Sequence, residues 1–381
     1  MNFELDDDQQ MLADSVRRWL ADNYDFDARR RVIASDEGTS PEAWAAFADM
    51  GLLGLPIPES AGGFGGGAVG MMTVMEALGE SLVVEPVLAG ILSARLVARL
   101  GSAELHEAVL TPFIGGGLKL AFAHGETQAR YALNEVTTRA ERVGDGWRLS
   151  GNKLAVYGAP HADKLVVSAR TSGADGDAQG ITLFLVDPSA PGVRRTAYRT
   201  LDGHRAANLV FENVHLAPAD VLGTEGAALP EIEETVDFAN VMLCAEAAGA
   251  IRSANDDTLA YLKQRQQFGQ PIGTFQALQH RMVDMFVTQE QMRSMQYLSC
   301  ARLDSASDAN ERGRVASAAK IKTADACRQI SQESVQLHGG MGMSEELKVS
   351  HTFRRLTLIG QQYGDADYHL QRYAELADAS A

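Results

Sequence analysis

The sequence predicts an α+β protein with an N-terminal helical domain, a middle antiparallel β domain that forms a barrel or a sandwich, and a C-terminal four-helix bundle. Apolar residues recur at helical spacing in the first and last thirds of the 381 residues, whereas short β-rich segments fill the middle third. A chain of this length suits two or three domains. We place them at residues 1–117, 118–228 and 229–381.

In the first third, Leu12, Val16, Trp19 and Leu20 share one face of a predicted helix. The middle third has a different period, and its strands are separated by Gly, Asp, Asn and Pro. The predicted strands cover residues 118–124, 135–141, 146–150, 164–170, 180–186 and 208–214. Strands and helices do not alternate here, so we do not expect a dinucleotide-binding fold of the βαβ type.

The last third predicts four long helices. They cover residues 236–263, 276–301, 316–337 and 350–376. The first of them is apolar on all sides through its first four turns, which is typical of a buried helix. The third ends at Gly339 and Gly340, because a glycine pair commonly ends a helix.

The second of these helices carries a stripe of methionines and other apolar residues at helical intervals. Flexible, polarisable methionine side chains fill irregular spaces in protein cores, so we expect the stripe to be buried. Its members are Leu278, Met282, Met285, Phe286, Met292 and Met295.

Composition excludes several classes of function. With 34 basic and 50 acidic residues the net charge is −16, which disfavours binding to nucleic acid or to anionic membranes. No run approaches the ~18 apolar residues that a membrane span needs. The N-terminal segment has no apolar core of a signal peptide, so we expect a cytoplasmic protein. The three cysteines are far apart, which indicates buried thiols rather than disulfides or a metal site.

The segment RQQFGQPIG, residues 265–273, directly follows the buried helix. The Arg265 guanidinium offers a fixed set of donors that suits a diphosphate, and the Phe268 ring can stack on a base or ring. An arginine that caps the end of a helix is the alternative interpretation.

The segment QLHGGMG, residues 336–342, ends the third long helix. Gly339 and Gly340 allow the backbone to approach a ligand, and Gln336 carries an amide that can form hydrogen bonds with it. Alone, this segment is also consistent with a simple helix end. The two segments in this order and separation form a much more specific pattern than either one.

Together the two segments resemble the Arg-x-x-Phe-Gly and Gln-x-x-Gly-Gly-x-Gly segments of the acyl-CoA dehydrogenases, and the resemblance covers the whole chain. It implies FAD as cofactor, an acyl-CoA substrate and an electron-transfer flavoprotein as electron acceptor. In this family both segments reach across an interface to the FAD of the neighbouring subunit. The implied cofactor-binding residues are Arg265 and Phe268 at the diphosphate and adenosine, and Gln336, Gly339 and Gly340 along the dinucleotide.

Other segments depart from the family pattern. The usual catalytic base is a Glu in a Tyr-Glu-Gly-Thr segment, and the matching residue here is Gly364. A minority carry the base on the buried helix, where this chain has Ala239. At the flavin ring, the Trp-Ile-Thr segment corresponds to Ala155, Val156 and Tyr157, and residues 125–131 replace a Thr-containing loop. The departures all lie on the ring half of the implied site.

This asymmetry favours a base-deficient small subunit that completes a partner's FAD site in an α2β2 dehydrogenase. The chain is most similar to small subunits of enzymes that act on pimeloyl-CoA or steroid side-chain CoA esters. One alternative is a self-sufficient homotetramer in which Asp365 or Glu246 serves as a relocated base, with Glu126 as a third candidate. Another is a non-enzymatic acyl-CoA-binding or scaffolding protein. Because Glu246 lies in an apolar run, it should have a raised pKa or a partner, such as an arginine.

Overall fold

The computed structural model describes residues 7–379. Residues 1–6, which begin the first predicted domain, and the last two residues of the third lie outside this described part. Along the described chain, helices are followed by a sheet and then by helices again, which confirms the predicted fold class.

The helices and strands have the following bounds. In the part of the chain that the structure describes, the helices are α1 (Asp7–Asn23), α2 (Phe26–Ala34), α3 (Pro41–Asp49), α4 (Gly67–Glu80), α5 (Val87–Leu100), α6 (Ala103–Leu105), α7 (Thr111–Ile114), α8 (Leu229–Gln264), α9 (Gln276–Ser305), α10 (Ala309–His338), α11 (Lys348–Gln361) and α12 (Ala366–Asp378). The strands are β1 (Leu120–Ala123), β2 (Arg139–Val143), β3 (Gly146–Tyr157), β4 (Lys164–Arg170), β5 (Ile181–Val186), β6 (Val193–Arg199), β7 (Arg205–Leu216), β8 (Val221–Leu222), β9 (Gln266–Gln267) and β10 (Gln270–Pro271).

The chain forms two compact units, each built from separate stretches of sequence. The helical unit comprises the described parts of Met1–Arg31 and Asp237–Ala381, together with Ala68–Val83. The sheet unit comprises Val32–Gly67 and Val84–Val236. The three domain boundaries that we set from the sequence remain a prediction.

Helix α8 is the central element of the helical unit. Its residues from Phe238 to Ile251 are almost all buried, as the apolar pattern predicts. It packs closely against α4 at two glycines: a Cβ on Gly249 would overlap the Glu76 carbonyl oxygen, and a Cβ on Gly79 would overlap that of Glu246. The two helices therefore approach each other through backbone contact.

The predicted helix over residues 350–376 is two helices, so this part of the prediction is wrong. Helix α11 ends at Gln361 and α12 begins at Ala366. Between them Tyr363 and Gly364 have φ angles of +57° and +122°, which a continuous helix cannot contain. Asp365 then caps α12, because its side chain accepts a hydrogen bond from the Tyr368 N–H.

The sheet unit contains one large sheet with the strand order β6-β7-β3-β2-β4-β5-β8, and β1 also pairs with β4. Most pairs are antiparallel, as predicted, but β1 and β2 both pair with β4 in parallel. In the described residues, β6 and β8 end the order, so the sheet does not close into a barrel. Its apolar face buries Trp147, Phe184 and Phe211.

All three cysteines are buried and free, as expected. Among residues 7–379, no helix combines the length and apolar character that crossing a membrane requires.

Candidate functional site

A hairpin at the end of α8 carries Phe268. Strands β9 and β10 pair there, with Gln267 opposite Gln270. The two residues at the turn, Phe268 and Gly269, have φ angles of +54° and +76°, the signature of a type I′ turn. Glycine adopts this conformation freely, but a bulky aromatic residue does so only at a cost in free energy. The Phe268 side chain is 91% exposed, so the hairpin holds an aromatic ring at the surface of the described chain.

Arg265 lies at the start of the same hairpin. Its backbone N–H donates to the Tyr261 carbonyl at 2.8 Å, and its carbonyl accepts from the Ile272 N–H at 2.8 Å, so the backbone is held on both sides. The side chain is exposed, and its guanidinium has no ion pair within the described chain. The backbone of Arg265 is thus held in place, and its exposed positive charge is available to an anion.

The second segment follows the end of α10. Gly339 and Gly340 are exposed, and a Cβ on either would have nothing within 4 Å. Gln336, one turn earlier, is also exposed. The His338 ring stacks on the Tyr261 ring with a centroid distance of 4.4 Å. Since Tyr261 lies four residues before Arg265 and His338 directly precedes Gly339, this contact brings the two predicted segments together, and the sequence patterns did not reveal it.

The candidate base Glu246 forms a buried ion pair. Its two carboxylate oxygens accept hydrogen bonds from Nε and Nη2 of Arg355 at 2.5 and 2.7 Å. Both side chains are less than 10% exposed. The apolar surroundings of Glu246 therefore contain the arginine partner that we named as one alternative.

The candidate base Asp365 caps α12 and follows a turn that is held by the buried Lys320. One Asp365 oxygen accepts from the Tyr368 N–H at 2.9 Å. The fully buried Lys320 ammonium donates to two carbonyls that precede Asp365 in the chain, those of Ile359 and Gln362, at 2.7 and 2.5 Å. Burial lowers the pKa of Lys320 to about 7. These contacts fix the turn between α11 and α12 from both of its ends.

The third carboxylate, Glu126, belongs to a buried cluster in the sheet unit. It accepts from Lys153 at 2.7 Å and from the backbone N–H groups of Thr137 and Thr138 at 2.8 and 3.1 Å. Burial alone would raise the pKa of Glu126, but the Lys153 charge and these hydrogen bonds together hold it well below its usual range. Glu126 therefore stays ionised and anchors the loop that contains it.

Lys153 is a residue that sequence reasoning missed. Its ammonium also donates to the His124 carbonyl at 3.0 Å and to the Ser168 hydroxyl at 2.9 Å, so all three of its protons are used. Burial and the nearby Lys153 charge lower the pKa of His124 to about 3 and keep it neutral. A lysine two residues before Ala155, in a segment already of interest, was the available signal.

Ala155 occupies an irregular position in β3. Its φ is +52°, and the register between β3 and β7 shifts there, so the strand forms a bulge. The Ala155 N–H donates to the Asn208 side chain at 3.1 Å. The residue is exposed. A small side chain therefore stands where the sequence resemblance places a ring-covering tryptophan.

Comparison with known proteins identifies the family. Three domain profiles cover nearly the whole chain: acyl-CoA dehydrogenase N-terminal domain at residues 6–117, middle domain at 121–214 and C-terminal domain at 229–375. The chain belongs to the acyl-CoA dehydrogenase family. The family resemblance predicted from the two glycine-containing segments is thus confirmed.

Relatives of this acyl-CoA dehydrogenase align along most of their length. The probable acyl-CoA dehydrogenase YngJ of Bacillus subtilis is 29% identical over 98% of this chain and 98% of its own. Subunit CarC of the caffeyl-CoA reductase-Etf complex of Acetobacterium woodii is 30% identical over 81% of this chain and 82% of its own.

Solved structures share the fold of the whole chain. The Tcur3481-Tcur3483 steroid ACAD is 30% identical, with a TM-score of 0.86 over 98% of both chains. The ChsE4-ChsE5 complex of Mycobacterium tuberculosis is 25% identical, with a TM-score of 0.88 over 99% of both. The FAD complex of PigA is 26% identical, with a TM-score of 0.90 over 100% of both.

Proposed function

We propose that this chain is the small, base-deficient subunit of a heteromeric α2β2 acyl-CoA dehydrogenase and completes the FAD site of a larger homologous subunit. The observation that carries the proposal is an asymmetry. The exposed residues of the hairpin and of the α10 end match the family pattern, whereas the positions that serve the flavin ring and the base carry Ala155, Ala239 and Gly364.

The residues of the helical unit fit the diphosphate and adenosine half of FAD. Arg265 offers an exposed charge, and Phe268 offers an exposed aromatic face. Open space beside Gly339 and Gly340 allows a ligand to reach the backbone there. These residues would hold the cofactor by its polar half and leave its reactive half to other groups.

The residues at the ring positions do not fit the other half as well. Ala155 offers no aromatic surface, and its N–H already donates to Asn208. The Glu126 carboxylate is used by Lys153 and by backbone N–H groups. A ring site built from these residues alone would lack both cover and a base, which supports a role at a partner's cofactor.

The reaction of the assembled enzyme would be the α,β-dehydrogenation of an acyl-CoA thioester to the 2-enoyl-CoA. FAD, when bound, supplies the hydride acceptor for the β carbon. A carboxylate must lie within hydrogen-bond reach of the α proton. Since Glu246 pairs with Arg355 and Asp365 caps α12, each would have to give up a structural contact to serve as that base. We therefore assign proton removal to the larger subunit.

Two comparisons support a partner and an acceptor. The ChsE4-ChsE5 structure is a complex of two named components, and CarC is a subunit of a complex that contains Etf. By analogy we propose an electron-transfer flavoprotein as the electron acceptor of the enzyme that contains this chain. The proposal allows three classes of acyl group: dicarboxylyl, steroid side-chain and simple fatty acyl esters.

The test is the flavin content of the chain purified alone and together with a larger homologue that retains the base. We expect little FAD in the isolated chain and one FAD per shared site in the complex. Stoichiometric FAD with dehydrogenase activity from this chain alone would instead support the self-sufficient enzyme. A complex that binds acyl-CoA without FAD would support the scaffolding alternative.

Arg265→Ala tests which residues serve the partner's cofactor. Removing the guanidinium should lower the FAD retained by the complex during gel filtration, because its diphosphate loses a charged donor. Arg328→Ala is the matched control, since Arg328 is an exposed arginine on α10 whose only described ion pair is with Asp325 one turn away. Equal FAD content in both variants would remove Arg265 from the proposed site.

A further inference from the structure

We infer that His369 sterically blocks residue 364, so that this chain cannot regain a base at the family position by the single change Gly364→Glu. The inference rests on the proposed function in one respect, because the family pattern is what assigns the usual catalytic base to position 364. The steric relation itself is a property of this structure.

The space beside Gly364 is filled by two rings. A Cβ on residue 364 would lie 2.6 Å from Cδ2 of His369 and closer still to its Nε2, and 2.7 Å from Cδ1 of Tyr368. Real Cβ atoms essentially never approach other atoms this closely. The first atom of any side chain at this position therefore already collides with the ring of His369.

The His369 ring cannot easily move aside. It is fully buried, its Nε2 lies 3.0 Å from the Tyr363 carbonyl oxygen and its Nδ1 lies 3.3 Å from the Ser317 hydroxyl. A carbonyl only accepts, so Nε2 carries the proton and Nδ1 accepts from Ser317. A rotation that cleared space for a Cβ would break both hydrogen bonds of a buried polar ring, which is costly.

The backbone adds a second obstacle. Gly364 has a φ of +122°, a conformation that residues with side chains rarely adopt. The turn is also tied from the α11 side, because Lys320 donates to the Gln362 carbonyl. The loss of the base at this position is thus built into the packing of the turn as well as into its sequence.

A double-mutant cycle on the full-length chain tests the steric relation. Gly364→Ala should lower the melting temperature, and the same change in a His369→Ala background should lower it less, by at least about 2 °C. Gly144→Ala is the control for backbone strain alone, because Gly144 has a φ of +64° and a Cβ placed on it would have no atom within 4 Å. Its effect should not depend on residue 369.

Equal losses in the two backgrounds would overturn the inference. If Gly364→Ala does not fold well enough to melt, the yield of folded protein replaces the melting temperature. A low yield of Gly364→Ala with a normal yield of the double variant supports the inference. An equally low yield of both variants contradicts it. In the assembled complex, Gly364→Glu alone should add no acyl-CoA-dependent turnover, and added turnover at unchanged melting temperature would also contradict it. Activity of the wild-type chain alone would refute the proposed function but would leave the coupling between residues 364 and 369 unchanged.

Discussion

At the scale of single residues, the buried ion pair of Glu246 and Arg355 predicts a large loss of stability when its carboxylate is removed. Removing one member of such a pair leaves the other charge buried without compensation, which typically costs about 3–5 kcal/mol. We therefore expect Glu246→Gln to lower the free energy of unfolding by an amount in this range, measured by urea denaturation. The described contacts of the carboxylate are consistent with a structural role, since both of its oxygens face Arg355.

The control for this prediction is the double variant Glu246→Gln with Arg355→Met. It removes both charges, so it should lose less free energy than the two single changes added together. A Glu246→Gln chain of unchanged stability, but with lost activity in the assembled enzyme, would instead make Glu246 a functional carboxylate.

Glu126 predicts a pH dependence of stability. Burial opposes ionisation of Glu126, but the Lys153 charge and the hydrogen bonds to the carboxylate lower its pKa in the folded chain. Its contribution is therefore fully present above the unfolded pKa near 4.5 and is lost as the pH falls through the folded pKa. Between pH 5 and pH 2, below the unfolded pKa, the wild-type urea midpoint should fall more than that of Glu126→Gln. Parallel curves for the two proteins would show that Glu126 does not contribute to acid sensitivity.

The contact partners of charged residues could be predicted only where a local sequence pattern specified them. The apolar run around Glu246 required a partner, but Arg355 is 109 residues away and no local pattern pointed to it. Glu126 was a candidate and Lys153 was not, because their contact depends on the pairing of β3 with the neighbouring strands. The partner of a buried charge is set by the tertiary fold. A single sequence therefore shows that a buried charge requires a partner, but not which residue that partner is.

At the scale of elements, the β9–β10 hairpin combines strain with exposure. Type I′ turns favour Asn-Gly, and Phe268-Gly269 uses the same backbone with a residue whose left-handed conformation costs about 1–2 kcal/mol. Phe268→Asn should therefore raise the melting temperature of the isolated chain slightly. In the complex it should lower FAD retention, because the aromatic ring is lost. Gln267→Ala, an exposed change on the same hairpin, should do neither.

A gain of stability without a loss of FAD would show that Phe268 is not used by the cofactor. A loss of stability in the isolated chain would show that its contact with Phe275, at a centroid distance of 6.1 Å, outweighs the strain of the turn.

Element boundaries were predictable where apolar periodicity was long and uninterrupted. Helices α8, α9 and α10 all overlap predicted segments, although α8 and α10 begin at Leu229 and Ala309, before the predicted residues 236 and 316, and β4 matches residue for residue. Helix α5 and strand β6 were not predicted, because α5 is apolar on most sides and β6 carries three arginines on an exposed edge. The break at Gly364 was missed because the periodicity of α11 continues into α12, and only the left-handed backbone ends it.

At the scale of the whole molecule, we propose that the FAD site is shared between this chain and a second one. The sequence predicts the polar half of a cofactor site and the loss of the usual base, and the structure places Arg265, Phe268 and Gln336 on exposed surfaces. We propose that a second chain covers these surfaces. The subunit role therefore remains a prediction that only an assembly experiment can decide.

The outer face of α9 offers such an experiment. Val283, Phe286 and Val287 are 58, 57 and 47% exposed and lie within one third of the helix circumference. The expectation from periodicity that Phe286 belongs to the core of this chain is wrong, because Met285 and Met292 take the inner face. Adjacent exposed apolar side chains are typical of protein–protein contacts. We expect a homologous subunit to cover this face in the assembled enzyme.

Phe286→Asp should then reduce the mass of the assembled species measured by light scattering, because a charge replaces an apolar contact in the interface. Val143→Asp is the matched control, since Val143 is an isolated exposed apolar residue on β2, 44% exposed. If both variants keep the wild-type mass, the α9 face is not a subunit contact. If both lower it equally, the added negative charge, on a chain of net charge −16, weakens assembly without regard to position.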